Sequence, residues 1–293
     1  GGGDSAEVAL ELMPGNKIRK YDTWHAMGQG ATTGSLVVTL EALKEMHLTP
    51  EDIQLIQNDT KTCPDTGMAG ASRSLYMDGN ATIIAANKLL AAMRKEDGTL
   101  RTYDEMKAEG IETKYLGRYE TNTTPGLCRL DPNTGIGDPT PAFTYCLNLA
   151  EVEVDTKTGK TTVLKFTCVD FVGRIGNIDA VNGQAYSGIM HGIGFALKED
   201  YADVKKHANM FGAGTSYIKD VPDDINLIHI DGAISDGPFG SSGASEAFQA
   251  SGHCAVLNGI YNACGVRIHE IPALPEKVKA GLDAIAKGEK PYE

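Results

Sequence analysis

The chain has 293 residues, of which 41% are hydrophobic and 34 are glycine, and its formal net charge at pH 7 is −12. This length supports one large domain or two smaller ones, and the negative charge without a basic stripe argues against nucleic acid as a partner. Because there is neither an apolar run long enough to span a membrane nor a visible signal peptide, the sequence indicates no membrane association.

The cysteines indicate neither a metal site nor a disulfide scaffold. No two of them have the two-residue spacing of zinc ribbons or iron–sulfur ligand sets, and disulfide scaffolds are usually much smaller chains. We therefore expect reduced, mostly buried thiols and a cytoplasmic protein. Because the chain begins at Gly1 without a methionine, we also expect it to be a piece of a longer protein. The six cysteines are Cys63, Cys128, Cys146, Cys168, Cys254 and Cys264.

The first ninety or so residues alternate between strand and helix patterns. Residues 8–12 and 17–24 resemble two strands joined by a Pro-Gly-Asn turn, and apolar residues recur at helical spacing over 36–46. Residues 53–56 are typical of a buried strand. A long helix is then predicted, with an inward face made of Ile83, Ala86, Leu90 and Met93.

Residues 96–140 contain many turn-forming residues and little periodicity. A long segment of this kind inside a compact domain predicts an irregular excursion or a crossing between subdomains.

The second half of the chain returns to clear patterns. Residues 149–154 and 162–169 predict two strands joined as a hairpin, residues 180–197 a glycine-rich helix, and residues 225–230 a further strand. One helix is predicted after Glu246 and a last one from Pro275. This irregular order of elements predicts an α+β fold with mixed sheets, packed helices and two subdomains.

The first candidate site is a glycine loop between a predicted strand and a predicted helix. Glycines let a ligand approach the backbone, a helix N-terminus suits phosphate, and a glutamine carboxamide suits the edge of a heterocycle. The next glycine is Gly34, one position too far for a dinucleotide fingerprint, so simple turn formation is an equal alternative. This Gln29 loop consists of Met27, Gly28, Gln29 and Gly30.

A second small-residue loop precedes the long helix. Its two serines can cap that helix, which is their ordinary role, or donate to phosphate while Arg73 adds charge. From the loop alone, capping is the favoured interpretation. This Ser72 loop consists of Ala69, Gly70, Ala71, Ser72, Arg73 and Ser74.

The third loop is the glycine-rich run at residues 237–246, Gly-Pro-Phe-Gly-Ser-Ser-Gly-Ala-Ser-Glu, which ends in an acid at a helix start. Glu246 is the candidate for chemistry, although from this run alone a helix-capping glutamate is favoured. Gln184 lies in another glycine-rich helix start. Three small-residue loops that each open a helix, together with one acid, fit a large phosphate-bearing cofactor held mostly by backbone groups.

Taken together, these loops resemble the molybdenum hydroxylases of the xanthine oxidase family, most strongly the bacterial aldehyde oxidoreductases of the Desulfovibrio type. The resemblance covers nearly the whole chain. Its motifs are Met-Gly-Gln-Gly at 27–30, Asn-Asp-Thr-Lys-Thr-Cys-Pro-Asp-Thr-Gly at 58–67, Ala-Ser-Arg at 71–73, Glu-Val-Glu-Val-Asp at 151–155, Val-Asn-Gly-Gln-Ala-Tyr at 181–186 and the run ending at Glu246.

The resemblance implies that residues 1–293 are the second, C-terminal molybdopterin-binding domain of such an enzyme. Glu246 matches the active-site base, Gln29 a glutamine near the metal, the Ser72 loop the segment that holds the cofactor's phosphates, and Gln184 a glutamine that contacts the pterin. The implied cofactor is molybdopterin in its cytosine dinucleotide form, with molybdenum held by the cofactor's sulfurs and by no protein side chain. Iron–sulfur clusters and the first molybdenum-binding half would lie outside this chain.

The implied reaction converts an aldehyde and water to a carboxylic acid, and the electrons leave through the iron–sulfur clusters. Two alternatives stay open: a hydroxylase of purines or other N-heterocycles, and a separate cofactor-binding subunit without activity of its own. The chain departs from close relatives at Ser245, where many have glycine, and at Ser74, where they tend to have glutamine. Because the family builds its site between two halves, we expect the isolated chain to be inactive.

Overall fold

The computed structural model of the chain describes residues 4–57, 59–121, 129–138 and 140–291. These residues form two compact units, and the chain passes between the units several times. The predicted α+β fold with two subdomains is therefore confirmed. Unit 1 contains Gly1–Phe143, Val172–Ala180 and Asp231–Gly243, and unit 2 contains Thr144–Phe171, Val181–Ile230 and Ala244–Glu293.

Unit 1 combines a mixed sheet with two long helices. Its elements in chain order are β1 (Ser5–Met13), β2 (Lys17–Tyr21), α1 (Ala31–Ala42), β3 (Ile53–Ile56), α2 (Ser74–Met93), α3 (Tyr103–Ala108), β4 (Lys114–Glu120), β5 (Arg129–Leu130) and β6 (Gly137–Asp138).

The sheet of unit 1 has the strand order β3-β2-β1-β4. β1 pairs antiparallel with both β2 and β4, while β2 and β3 run parallel. Leu10 and Leu12 of β1 point to the same face of the sheet, as residues two positions apart on a strand must. They pack against Leu89 and Met93 of α2. The two helices α1 and α2 that carry the candidate loops therefore stand on one sheet.

The strand β4 corrects the prediction of an irregular excursion across residues 96–140. Residues 103–120 contain α3 and β4, and β4 completes the main sheet beside β1. The sequence of β4 lacks the alternation of apolar and polar residues that marks a strand, because its buried position is Gly117. A Cβ atom at Gly117 would lie 2.1 Å from the carbonyl oxygen of Ala81. Residues 122–128 and 139, which fall in the same predicted excursion, lie outside the described residues, as does Asn58 of the motif at 58–67.

Unit 2 is a three-stranded sheet with helices packed on it. Its elements in chain order are β7 (Tyr145–Val154), β8 (Thr161–Phe171), α4 (Ile178–Leu197, whose first turn belongs to unit 1), α5 (Met210–Ala213), β9 (Asp224–His229), α6 (Ser245–Ala250), α7 (Gly252–Cys264) and α8 (Pro275–Ala286).

The sheet of unit 2 follows the predicted pattern. β7 and β8 form the predicted antiparallel hairpin, and β9 joins β8 in parallel. The single helix predicted after Glu246 is instead two helices, α6 and α7, which meet at Ser251. The break lies where Gly252 approaches Gly192 of α4, since a Cβ atom at Gly192 would lie 2.9 Å from the Cα atom of Gly252.

The five cysteines in the described residues are free, as predicted, but they are not mostly buried. Cys168 is buried, whereas Cys254 is exposed and the other three are half-buried. Within the described ranges, the helices are either too short or too polar to cross a membrane.

Candidate cofactor site

The predicted site residues fall into two groups, one in each unit. The Gln29 loop and the Ser72 loop belong to unit 1, together with the glycine-rich run as far as Gly243. Gln184 and Glu246 belong to unit 2.

The Gln29 loop is closed by its own glutamine side chain. The Gln29 Nε2 atom donates to the carbonyl oxygen of His25 at 2.7 Å, and its Oε1 atom accepts from the N–H of Met27 at 2.5 Å. Gly28 and Gly30 have φ values of 106° and 86°, which favour glycine. Gly30 is the cap residue of α1, so the loop ends directly at a helix N-terminus.

The Ser72 loop turns sharply before α2. Ala71 and Ser72 have φ values of 52° and 50°, two successive left-handed residues without the freedom of glycine. The cap residue of α2 is Arg73, and its side chain makes no capping hydrogen bond. Neither Ser72 nor Ser74 therefore occupies the cap position that the sequence favoured for a serine.

Arg73 points inward, and its guanidinium binds the protein itself. It donates to the carbonyl oxygens of Met68 at 2.7 Å, Ser5 at 3.0 Å and Thr66 at 3.1 Å, and it pairs with the carboxylate of Asp4 at 2.5 Å. Its side chain is only 13% exposed. The guanidinium therefore fixes the backbone that leads into the Ser72 loop, a role that the sequence did not indicate.

A pair of threonines links the segments that precede the two loops. The N–H of Thr23 donates to the Oγ1 atom of Thr66 at 2.8 Å, and the N–H of Thr66 donates to the Oγ1 atom of Thr23 at 3.0 Å. Thr66 also donates to the carbonyl oxygen of Glu7 on β1 at 3.1 Å. The sequence carries no signal for this link, because the partners are 43 residues apart.

The glycine-rich run packs directly on the Ser72 loop. A Cβ atom at Gly243 would lie 1.6 Å from the carbonyl oxygen of Ser72. The run also lies against α2, where a Cβ atom at Gly79 would approach Pro238 to 2.6 Å. The structure therefore brings together, within unit 1, two of the three small-residue loops that the sequence singled out.

Glu246 is the second residue of the short helix α6, and its side chain is exposed. The cap position belongs to Ala244, which makes no side-chain capping bond. Glu246 is therefore not the capping residue that the run alone favoured. A carboxylate in the first turn is nonetheless stabilised by the helix dipole.

Gln184 and Glu246 lie on two helices that pack closely within unit 2. Gln184 is one turn before Gly188 on α4, and a Cβ atom at Gly188 would lie 2.6 Å from the Cβ atom of Phe248 on α6. Only a glycine permits this approach. The small residues of α4, which carries Gln184, therefore allow it to pack against α6, which carries Glu246.

A histidine that the sequence did not single out supports the start of α4. His229 contacts the carboxylate of Asp170 through Nδ1 at 2.7 Å and the side-chain oxygen of Asn182 through Nε2 at 2.8 Å. Asp170 is buried, and this burial raises its pKa against the lowering effect of His229. The contact fixes Asn182, two residues before Gln184.

Comparison with known proteins identifies the domain family of the chain. Residues 1–222 match the family described as the molybdopterin cofactor-binding domain. The chain is 41% identical over 283 residues to an aldehyde oxidoreductase of Megalodesulfovibrio gigas, covering 97% of this chain and 31% of that protein. It is 28% identical over 297 residues to a probable hypoxanthine oxidase of Escherichia coli, covering 96% of this chain and 31% of that protein.

Solved structures show the same fold. The aldehyde oxidoreductase from Desulfovibrio gigas superposes with a TM-score of 0.92 at 41% identity, covering 97% of this chain and 31% of that one. The enzyme from Desulfovibrio desulfuricans gives a TM-score of 0.90 at 44% identity, covering 95% of this chain and 30% of that one. The chain thus spans less than a third of the length of these relatives. It belongs to the molybdopterin cofactor-binding domain family.

Proposed function

We propose that the chain is the second molybdopterin-binding domain of an aldehyde-oxidising molybdenum hydroxylase and supplies its catalytic base, Glu246. The observation that carries this proposal is the 41% identity to an aldehyde oxidoreductase across 97% of the chain. It is supported by the position of Glu246 on a helix that glycine contacts hold against α4.

The residues present fit a large cofactor with phosphate groups. Within the described residues, a Cβ atom at Gly28 would meet no atom within 4 Å, so the backbone of the Gln29 loop is open to approach. The Gln29 loop and the Ser72 loop each end at the N-terminus of a helix of at least 12 residues, α1 and α2, where backbone N–H groups favour anions. A metal bound through its cofactor's sulfurs would need no cluster of protein ligands.

In this proposal each candidate residue has its own role. Gln29 would lie near the metal, the Ser72 loop would bind the phosphates of the cytosine dinucleotide form of molybdopterin, and Gln184 would contact the pterin. Arg73 stabilises the backbone of the Ser72 loop, because its guanidinium already binds three carbonyl oxygens and one carboxylate of the protein. When bound, the cofactor supplies the two-electron acceptor for substrate oxidation.

Glu246 holds and moves the proton. One of its carboxylate oxygens accepts a proton from the water-derived oxygen as that oxygen attacks the aldehyde carbon. The side chain is exposed in this chain, whereas a general base works best where bulk water is excluded. We assign the exclusion of water to the first molybdenum-binding half. That half and the iron–sulfur domains would join this domain in a cytoplasmic enzyme.

A substrate comparison tests the proposed activity. The complete protein, expressed with its natural flanking sequence, should oxidise aldehydes in the presence of an artificial electron acceptor, and it should release molybdenum and a cytidine nucleotide on denaturation. Hypoxanthine should be a poor substrate, since identity to the hypoxanthine oxidase is only 28%. Turnover of hypoxanthine without turnover of aldehydes would instead support the purine hydroxylase.

A further inference from the structure

A lysine is wholly buried between two aspartates in unit 1. The Nζ atom of Lys20 lies 2.8 Å from the Oδ2 atom of Asp78 and 3.2 Å from the Oδ2 atom of Asp22. All three side chains are fully buried. Lys20 is on β2, Asp22 directly follows that strand, and Asp78 is on α2.

Asp22 joins four parts of unit 1. Besides Lys20, it accepts hydrogen bonds from the hydroxyl of Ser35 on α1 at 2.7 Å and from the side-chain amide of Gln57 beyond β3 at 2.8 Å. Its Oδ1 atom also accepts from the N–H of Trp24 at 3.3 Å, a contact two residues along the chain that starts a turn. Asp22 therefore sets the direction in which the chain leaves β2 towards the Gln29 loop.

Asp78 plays the corresponding part for the Ser72 loop. It lies one helical turn after Ser74, and its Oδ2 atom accepts from Lys20 and from the hydroxyl of Thr82 at 3.3 Å. Its Oδ1 atom is buried without a hydrogen-bond partner among the described residues. Lys20 thus fixes the N-terminal end of α2 relative to β2, and the Ser72 loop leads directly into that end of the helix.

Stability alone does not account for three charged groups in this interior. Removing ions from water costs several kcal/mol for each ion, and apolar residues of similar size often serve stability equally well. What the ionic contacts provide is a defined geometry, because Lys20 of β2 holds Asp78 on α2, and Asp22 is held by donors from α1 and from the segment after β3. The two chain segments defined in this way lead into the two loops that we assign to the cofactor.

We propose that Lys20, Asp22 and Asp78 form a buried ionic clamp that positions the Gln29 loop and the Ser72 loop. Lys20 and both aspartates are positioning residues, since they act through the loops. The proposal rests on the proposed function, because it takes these two loops to be the cofactor-binding loops.

Hydrogen–deuterium exchange in the complete protein, combined with molybdenum analysis, tests the clamp. Asp22→Asn removes the charge and keeps the size of the side chain, and Asp78→Asn does the same on α2. The control is Leu89→Ala, which removes fully buried apolar atoms from the same helix without touching the clamp. We expect both asparagine variants to speed exchange in the Gln29 and Ser72 loops and to lower the molybdenum content, because displaced loops would bind the cofactor less tightly.

The control separates positioning from a general loss of stability. Leu89→Ala should lower the unfolding midpoint yet leave loop exchange and molybdenum content near those of the wild type. The clamp is overturned if loop exchange is unchanged in both asparagine variants, or if Leu89→Ala changes it equally. If Asp22→Asn fails to fold, Asp78→Asn decides by the same criteria. A wild-type protein without molybdenum would contradict the proposed function instead, while the exchange comparison would still decide on the clamp.

Discussion

Asp78 shows how a single side chain couples the interior of unit 1 to pH. Burial raises its pKa to about 6, and this effect exceeds the opposing attraction of Lys20, while the nearby charge of Asp22 raises the pKa further. The unfolded chain binds the same proton with a pKa of about 3.9. The folded state therefore holds the Asp78 proton more tightly than the unfolded state does.

The free energy of unfolding therefore depends on pH through Asp78. The contribution of Asp78 to the free energy of unfolding is fully present below about pH 4 and is lost as the pH rises through about 6. Asparagine does not titrate. The free energy of unfolding of Asp78→Asn, relative to that of the wild type, should therefore rise by about 2 kcal/mol between pH 4 and pH 7. Denaturant unfolding of both proteins across this range measures the difference.

A second aspartate provides the opposite sign as a control. The backbone N–H and hydroxyl of Thr49 lower the pKa of the half-buried Asp52, so its contribution to stability is present above the unfolded pKa and is lost as the pH falls. Asp52→Asn should therefore lose stability relative to the wild type as the pH rises through the range in which the Asp52 carboxyl group ionises. A free-energy difference for Asp78→Asn that does not change with pH would contradict the assignment.

Local motifs indicated candidate residues, but they did not indicate the partners of those residues. Met-Gly-Gln-Gly and the run ending at Glu246 drew attention to their loops because small residues before a helix have a recognisable pattern. The Thr23–Thr66 pair and the inward direction of Arg73 had no such pattern. Their partners lie far along the chain, at separations of 43 residues for the threonines and 69 for Arg73 and Asp4, and only the fold brings them together.

At the scale of elements, the contact between the glycine-rich run and the Ser72 loop makes a strict steric demand. Gly243→Ala would place a Cβ atom 1.6 Å from a backbone oxygen of Ser72, so one of the two loops must move. Overpacking of this kind typically costs about 1–3 kcal/mol. We expect Gly243→Ala to lower both the unfolding midpoint and the molybdenum content of the complete protein.

Gly176→Ala is the matched control for this substitution. It also lies in unit 1, but its added Cβ atom would meet its nearest neighbour, a methyl group of Val37, at an ordinary 3.5 Å. Thermal unfolding and metal analysis of the two variants side by side decide the matter. Equal behaviour of Gly243→Ala and Gly176→Ala would show that the close approach does not hold the loop.

The elements that the sequence predicted well are those whose buried positions are apolar. The β7–β8 hairpin was predicted because its strands alternate and the turn between them is polar. β4 was missed because its buried position is Gly117 and its neighbours Leu116 and Arg118 are exposed. The sequence pattern of a strand disappears when it packs through a glycine against a helix backbone.

At the scale of the whole molecule, the chain spans 31% of the length of the aldehyde oxidoreductase of Megalodesulfovibrio gigas. We expect a cofactor site built between two halves to be lost when one half is missing. The isolated 293-residue chain should therefore contain no molybdenum and oxidise no aldehyde. The complete protein should contain molybdenum and oxidise aldehydes. Metal analysis and an aldehyde assay on the two preparations test this, and molybdenum together with turnover in the isolated chain would show that the site is complete within it.

The most direct measurement is aldehyde turnover by Glu246→Gln in the complete protein. Loss of a general base should lower the rate about 10²- to 10⁴-fold, while molybdenum content stays near that of the wild type. Glu276→Gln is the control, because Glu276 is likewise exposed and is the second residue of its helix, α8. Turnover near the wild-type rate in Glu246→Gln, with the control unaffected, would contradict the role of Glu246 as the base.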